Sequence, residues 1–192
     1  MLLQSINLNN VRSYQDQTIN FQEGITLLSG DIGSGKSSIL LAIEFALFGA
    51  ARPDLPAESL LRKGAQKASV TLNFKLGDQP ITIHRTLQKT KDSVKQGAVY
   101  IIQNNQKFEL TTIELKAKII ELLGYPEDQI SKGKNYIYRY TIYCPQEEMK
   151  RILQELPQER LNILRKIFNI DKYKTIRDNT SNYIKELNAR IR

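Results

Sequence analysis

The chain has 192 residues, 41% hydrophobic and 25% charged, enough for one sizeable core and an extension, and its formal charge of +8 favours a polyanionic partner such as nucleic acid, or else a solubilising surface. No apolar run nears the roughly 18 residues of a membrane-spanning helix, and the start MLLQSINLNN lacks the basic and long apolar regions of a signal peptide. The one cysteine, Cys144, excludes an internal disulfide and a Cys-rich zinc site, so the chain reads as intracellular, with no membrane partner.

Two short strands are expected at Leu2–Leu8 and Gln17–Phe21. Gly24–Gly30 follows, apolar and bounded by glycines, as a buried strand should be. Ser34–Gly49 reads as a helix apolar nearly all round, and therefore buried. Val70–Phe74 and Ile81–Ile83 alternate with period two around the turn cluster Gly77–Pro80, which predicts a hairpin. A polar, lysine-rich loop is expected at Gln88–Gln96, then strands at Ala98–Gln103 and Lys107–Leu110. Thr111 or Thr112 can cap a helix that runs to Leu123 and stops at Gly124 and Pro126. Tyr136–Cys144 has a strand composition. Beyond it, Gln146–Leu156 and Gln158–Phe168 read as helices broken at Pro157, and Asp171–Arg192 as a third. Ile176, Tyr183, Leu187 and Ile191 start a coiled-coil seam there, and the missing stop signal suggests a cut through a longer helix. The expected domains are a lobe at residues 1–156 and helices leading into a coiled coil at 157–192.

Gly30-Asp31-Ile32-Gly33-Ser34-Gly35-Lys36-Ser37 matches the phosphate-binding pattern G-x-x-x-x-G-K-[ST]. Chance yields this pattern in on the order of one chain in a hundred at this length. The glycines let backbone N–H groups converge on phosphate oxygens, and the helix that follows adds the positive end of its dipole. Lys36 then sets a cation on the β and γ phosphates, while the Ser37 hydroxyl suits Mg²⁺. Ile32, Gly33, Ser34, Gly35, Lys36, Ser37 and Ser38 are the expected contacts to ATP. A plain glycine turn would not explain Lys36-Ser37 at that offset.

The other parts of a hydrolytic site are missing. An apolar run ending in Asp is best imitated by Ile163–Asp171, which Arg165, Lys166 and Asn169 interrupt. Ile119-Ile120-Glu121 fits worse, inside an amphipathic helix, and no Leu-Ser-Gly-Gly-like segment exists. These parts must come from elsewhere.

Several segments resemble one family. Leu8–Tyr14 is similar to the "N-F-R-S-[HY]" start of SMC-like proteins of the SbcC type, the large subunits of the double-strand-break repair nuclease complex. Ala42–Gly49 resembles the end of that family's first helix, and Tyr143–Met149 stands where the family carries its Q-loop. The resemblance implies an α/β fold, a P-loop ABC-type ATPase half-domain with a mixed sheet around the P-loop helix. It further implies C-terminal helices that begin an antiparallel coiled coil. It gives Arg12 a phosphate contact, sets Arg62, Lys63 and Gly64 beside the nucleotide, and makes Gln146 a ligand of Mg²⁺ that positions the attacking water. Lys36 and Gln146 are then the catalytic residues of this chain. The implied partners are the C-terminal ATPase lobe of the same protein, a second head in a homodimer, a nuclease subunit and DNA. Ile32 stands where the family usually has Asn, and Cys144-Pro145 before Gln146 replaces the commoner Arg in that place.

The alternatives are an SMC or RecF-like chromosome-maintenance ATPase and, from a different class, the nucleotide-binding domain of a transporter. Arg85, Lys89, Lys91 and Lys95 could follow a DNA backbone or simply be solvated. His84 and Cys144 read as packing residues, and Tyr136, Tyr138, Tyr140 and Tyr143 as a packed strand rather than a base-stacking surface.

Overall fold

The computed structural model describes residues 1–50, 56–91, 93–124, 153–168 and 170–191. The chain divides into two units, residues 1–134 and 135–192. Tyr136–Cys144, the expected Q-loop with Gln146, and most of the expected helix at 146–156 lie outside the described residues.

The first unit is built on a six-stranded antiparallel sheet: β1 (Leu2–Val11), β2 (Tyr14–Asn20), β3 (Lys67–Leu76), β4 (Gln79–Lys89), β5 (Val94–Gln103) and β6 (Gln106–Leu110). The spatial order is β2-β1-β3-β4-β5-β6, so only the β1–β3 pairing joins strands distant in sequence. Alternation decides which face is buried. Ala68, Val70, Leu72 and Phe74 of β3 point inward with Ile81, Ile83 and Leu87 of β4. Ser69, Thr71, Asn73, Thr82, His84 and Thr86 occupy the other face. That polar face is satisfied locally: Asn73 Nδ2 donates to Ser5 Oγ and Thr82 Oγ1 donates to Asn73 Oδ1, at 2.9 and 2.7 Å. His84 stacks on Tyr100 across the ladder, with Lys107 above that tyrosine ring, so it is a packing residue there.

Helix α1 (Lys36–Phe48) lies on the inward face, against β1, β3 and β4. It buries Ile39, Ala42, Ile43, Phe45, Ala46, Leu47 and Phe48, as a helix apolar on nearly every side must. Helix α2 (Thr112–Leu122) covers β5 and β6 with Leu115, Ile119 and Ile120. Thr111 caps it reciprocally. Its Oγ1 accepts from the Glu114 N–H at 3.2 Å, and its own N–H donates to the Glu114 carboxylate at 2.8 Å. Replacing Thr111 with alanine should destabilise the chain by about 1 kcal/mol, read as a shifted denaturant midpoint with an unchanged slope.

Three expectations change here. The sheet is antiparallel at every described pairing rather than mixed, because short turns join all its neighbouring strands except β1 and β3. Gly24–Gly30 is not a buried strand: it joins no ladder with the described strands, and Ile25 and Leu27 are exposed, the latter at 85%. A strand is buried by its neighbours, and no described strand pairs with this segment. Nor is Gln88–Gln96 a loop. β4 and β5 continue through it, pairing Gln88 with Lys95 and Lys89 with Val94, and leave a short turn. Ladder hydrogen bonds and the buried Leu87 override the polar composition.

In the second unit, α3 (Pro157–Ile167) starts at its proline, where the missing N–H costs nothing. α4 (Asp171–Ile191) follows, with Ile176, Tyr183, Leu187 and Ile191 exposed along it. The run Ile163–Asp171 is therefore divided between two helices.

Candidate functional site: a phosphate-binding loop at the head of α1

The Gly30–Ser37 loop leads straight into α1, whose first residue is Lys36. The helix start has no side-chain cap and no acidic residue in its first turn, so its N–H groups and dipole are left for an anion. Gly35 adopts φ +99°, and a Cβ there would stand 2.6 Å from Ser13 Oγ and 3.0 Å from the Tyr14 hydroxyl. Only glycine combines that dihedral with that approach.

Lys36 folds back over its own loop. Its ammonium donates to the carbonyls of Gly30 and Asp31 at 2.8 and 2.7 Å, and lies 3.3 Å from Ser34 Oγ. The cation is thus poised above the curl. Ser37 is exposed in the first helical turn, whereas Ser38 is buried beneath it and donates its N–H to the Gly35 carbonyl at 2.9 Å. Ile32 is fully exposed at the loop tip.

The β1–β2 turn ties this loop to the segment at 59–64. Arg12 takes φ +50°, rare for a residue with a side chain. Its Nε donates to the Ser59 carbonyl at 3.0 Å and its N–H to that of Leu60 at 2.9 Å. In return, Arg62 donates from its backbone to Asn10 and from Nη1 to the Ser13 carbonyl, both at 2.9 Å. Arg12, Arg62 and the loop thus meet at one corner. Arg62 also lines, with Lys63, Gly64, Lys89 and Lys91, an open cleft of about 340 Å³. Gln146 lies outside the described residues.

Arg85 does not belong with the exposed lysines. It is 0% exposed and points at the far end of α1, donating from Nε to the Ala46 carbonyl at 2.7 Å and from Nη2 to that of Leu47 at 3.1 Å. These are carbonyls the helix leaves unsatisfied at its C-terminus. Burial pushes the guanidinium pKa down to about 10. Burial also lowers the Lys116 ammonium, helped by nearby Arg85. An extra residue in β5 opposite Arg85–Leu87 turns Gln96 onto the same face. The signal for Arg85 was available: it occupies an inward position of the alternation Ile81, Ile83, Arg85, Leu87. The packing of Ser13 and Tyr14 on Gly35 carried no sequence signal.

Fold and loop together define a P-loop nucleotide-binding half-domain. Residues 5–191 match the AAA domain family, and the chain belongs to it. The DNA double-strand break repair Rad50 ATPase of Methanococcus maripaludis is 31% identical over 173 residues, 90% of this chain and 16% of the relative. That of Methanocaldococcus jannaschii is 29% identical over 191 residues, 100% and 18% of the two chains. The SbcC component of the nuclease SbcCD from Staphylococcus aureus is 31% identical over 201 residues, 97% of this chain and 19% of that one. The chain is therefore homologous to the N-terminal region of Rad50 and SbcC and spans about a fifth of their length. A chain from a structural study of ATP-driven dimerization and DNA-stimulated activation of SMC ATPases superposes with a TM-score of 0.62 at 22% identity. The match covers 87% of this chain and 99% of that one, and it establishes the fold alone.

Proposed function

We propose that this chain is the ATP-binding half of a DNA double-strand-break repair ATPase of the Rad50/SbcC kind. The observation that carries the reading is the loop itself: an uncapped helix start, inward-curled glycines and Lys36 poised above them. Lys36 would bear on the β and γ phosphates, and Arg12 and Arg62 adjoin the same corner. Lys63 and Gly64 border it on the side of the lysine cleft. The exposed Ser37 hydroxyl suits one position on a Mg²⁺ held mainly by phosphates and water, which needs no carboxylate cluster from the protein. Gln146 would supply a second ligand and orient the attacking water. Bound Mg²⁺ would neutralise charge developing on the phosphates.

The exposed Ile25 and Leu27 support the expected C-terminal lobe, whose strands would cover an apolar segment that this sheet does not take up. Engagement of two such heads over ATP would control access to DNA and to a nuclease subunit. Lys63, Lys89 and Lys91 line one cleft and offer phosphate contacts there, whereas Lys95 pairs with Gln88 on the opposite face of the ladder. No helix among the described residues is long and apolar enough to cross a membrane.

The test is phosphate release from ATP by this chain alone and after addition of the C-terminal part of the protein. The expected result is nucleotide binding with negligible turnover alone, and turnover on completion. Multiple turnover by the isolated chain would overturn the reading.

A further inference from the structure

We propose that Tyr14 is a positioning residue for the phosphate-binding loop: it orients the Gly35–Lys36 peptide so that the Lys36 N–H faces a bound phosphate. The inference rests on the nucleotide-binding reading above and deepens it at one bond.

A trans peptide is planar, with its C=O and N–H pointing in opposite directions. Holding the Gly35 carbonyl therefore aims the Lys36 N–H. Two donors converge on that carbonyl, the Ser38 N–H at 2.9 Å and the Tyr14 hydroxyl at 3.3 Å. The Ser38 bond is of the tighter i→i+3 kind, whose geometry is poor, and it leaves the peptide free to tilt. A carbonyl oxygen has a second lone pair, and the Tyr14 hydroxyl comes from outside the helix to occupy it.

The tyrosine itself is well held. It opens β2 and pairs with Val11 across the two-residue turn that holds the left-handed Arg12, and its ring is half-buried. Its hydroxyl and ring edge lie 3.0 and 3.1 Å from where a Gly35 Cβ would stand, so the ring rests directly on the glycine. The Lys36 N–H is one of the helix's unsatisfied donors, and no side-chain cap competes for it. A phosphate oxygen on that N–H would draw the peptide further into line. Tyr14 touches no nucleotide in this scheme; it acts through the peptide.

Tyr14→Phe removes one oxygen and keeps the ring. By calorimetric titration, affinity should fall about fivefold for ADP and ATP alike, about 1 kcal/mol. The melting temperature of the nucleotide-free chain should stay within about 1 °C. The Lys36 amide cross-peak should move in the ¹⁵N–¹H spectrum of the free chain, a change that lost packing alone would not confine to that peptide. Unchanged affinity with an unmoved Lys36 peak would overturn the proposal. So would a general loss of stability with peaks shifting throughout. If the unmodified chain binds no nucleotide, the functional reading fails, and the Lys36 peak still decides whether Tyr14 holds the peptide.

Discussion

Replacing Lys36 with alanine should weaken ATP binding at least about a hundredfold, equivalent to about 3 kcal/mol for a charged donor facing phosphate in a preorganised cradle. The size follows from where the ammonium already stands. It spans the Gly30 and Asp31 carbonyls at 2.8 and 2.7 Å, so it reaches the phosphates with little side-chain entropy left to lose. Those same contacts steady the ligand-free loop, and the variant should show faster amide exchange across residues 30–35 while the sheet keeps its protection. Calorimetric titration and hydrogen exchange read the two effects separately. Retained affinity would mean that the loop does not hold phosphate.

The second large effect is expected at the other end of the same helix. Arg85→Ala should destabilise the chain by about 3 kcal/mol, lowering its melting temperature by about 9 °C. Two carbonyls at the C-terminus of α1 lose their donors, and a cavity opens among Gly49, Gln96 and β4. Burial offsets part of what Arg85 contributes, as its depressed pKa of about 10 attests. Its buried Nη1 has no hydrogen-bond partner among the described residues, and neither has the buried Oε1 of Gln96. The loss is therefore smaller than two charged hydrogen bonds and a cavity would suggest if summed. Arg85→Lys should recover part of it, because one ammonium can serve one of the two carbonyls. Thermal melts of the three proteins check the order, and a neutral Arg85→Ala would mean that the helix end is held by packing alone.

Chemical signals short in range were legible in the chain. The P-loop, the β3–β4 hairpin, the capped start of α2 and the proline at the head of α3 each depend on residues within a few positions of one another. The strand ends at Lys89 and Val94 were not legible. Their polar residues read as a loop, and only the ladder to a neighbouring strand makes them extended. Gly24–Gly30 failed in the opposite direction. Its apolar composition belongs to a strand, but what makes a strand is a partner, and none of the described strands pairs with it.

The sequence by itself determined the chemistry of the loop: which residues curl, which carries the cation and which begins the helix, since all are covalent neighbours. Tertiary structure decided what surrounds it. The left-handed Arg12 reaches Ser59 across 47 positions, Tyr14 approaches Gly35 across 21 positions, and Arg85 caps a helix 38 positions before it. Contacts at that separation depend on how the sheet pairs β1 with β3 and lays α1 across the inner face. No local pattern encodes them, because their free energy is realised only once the core has formed.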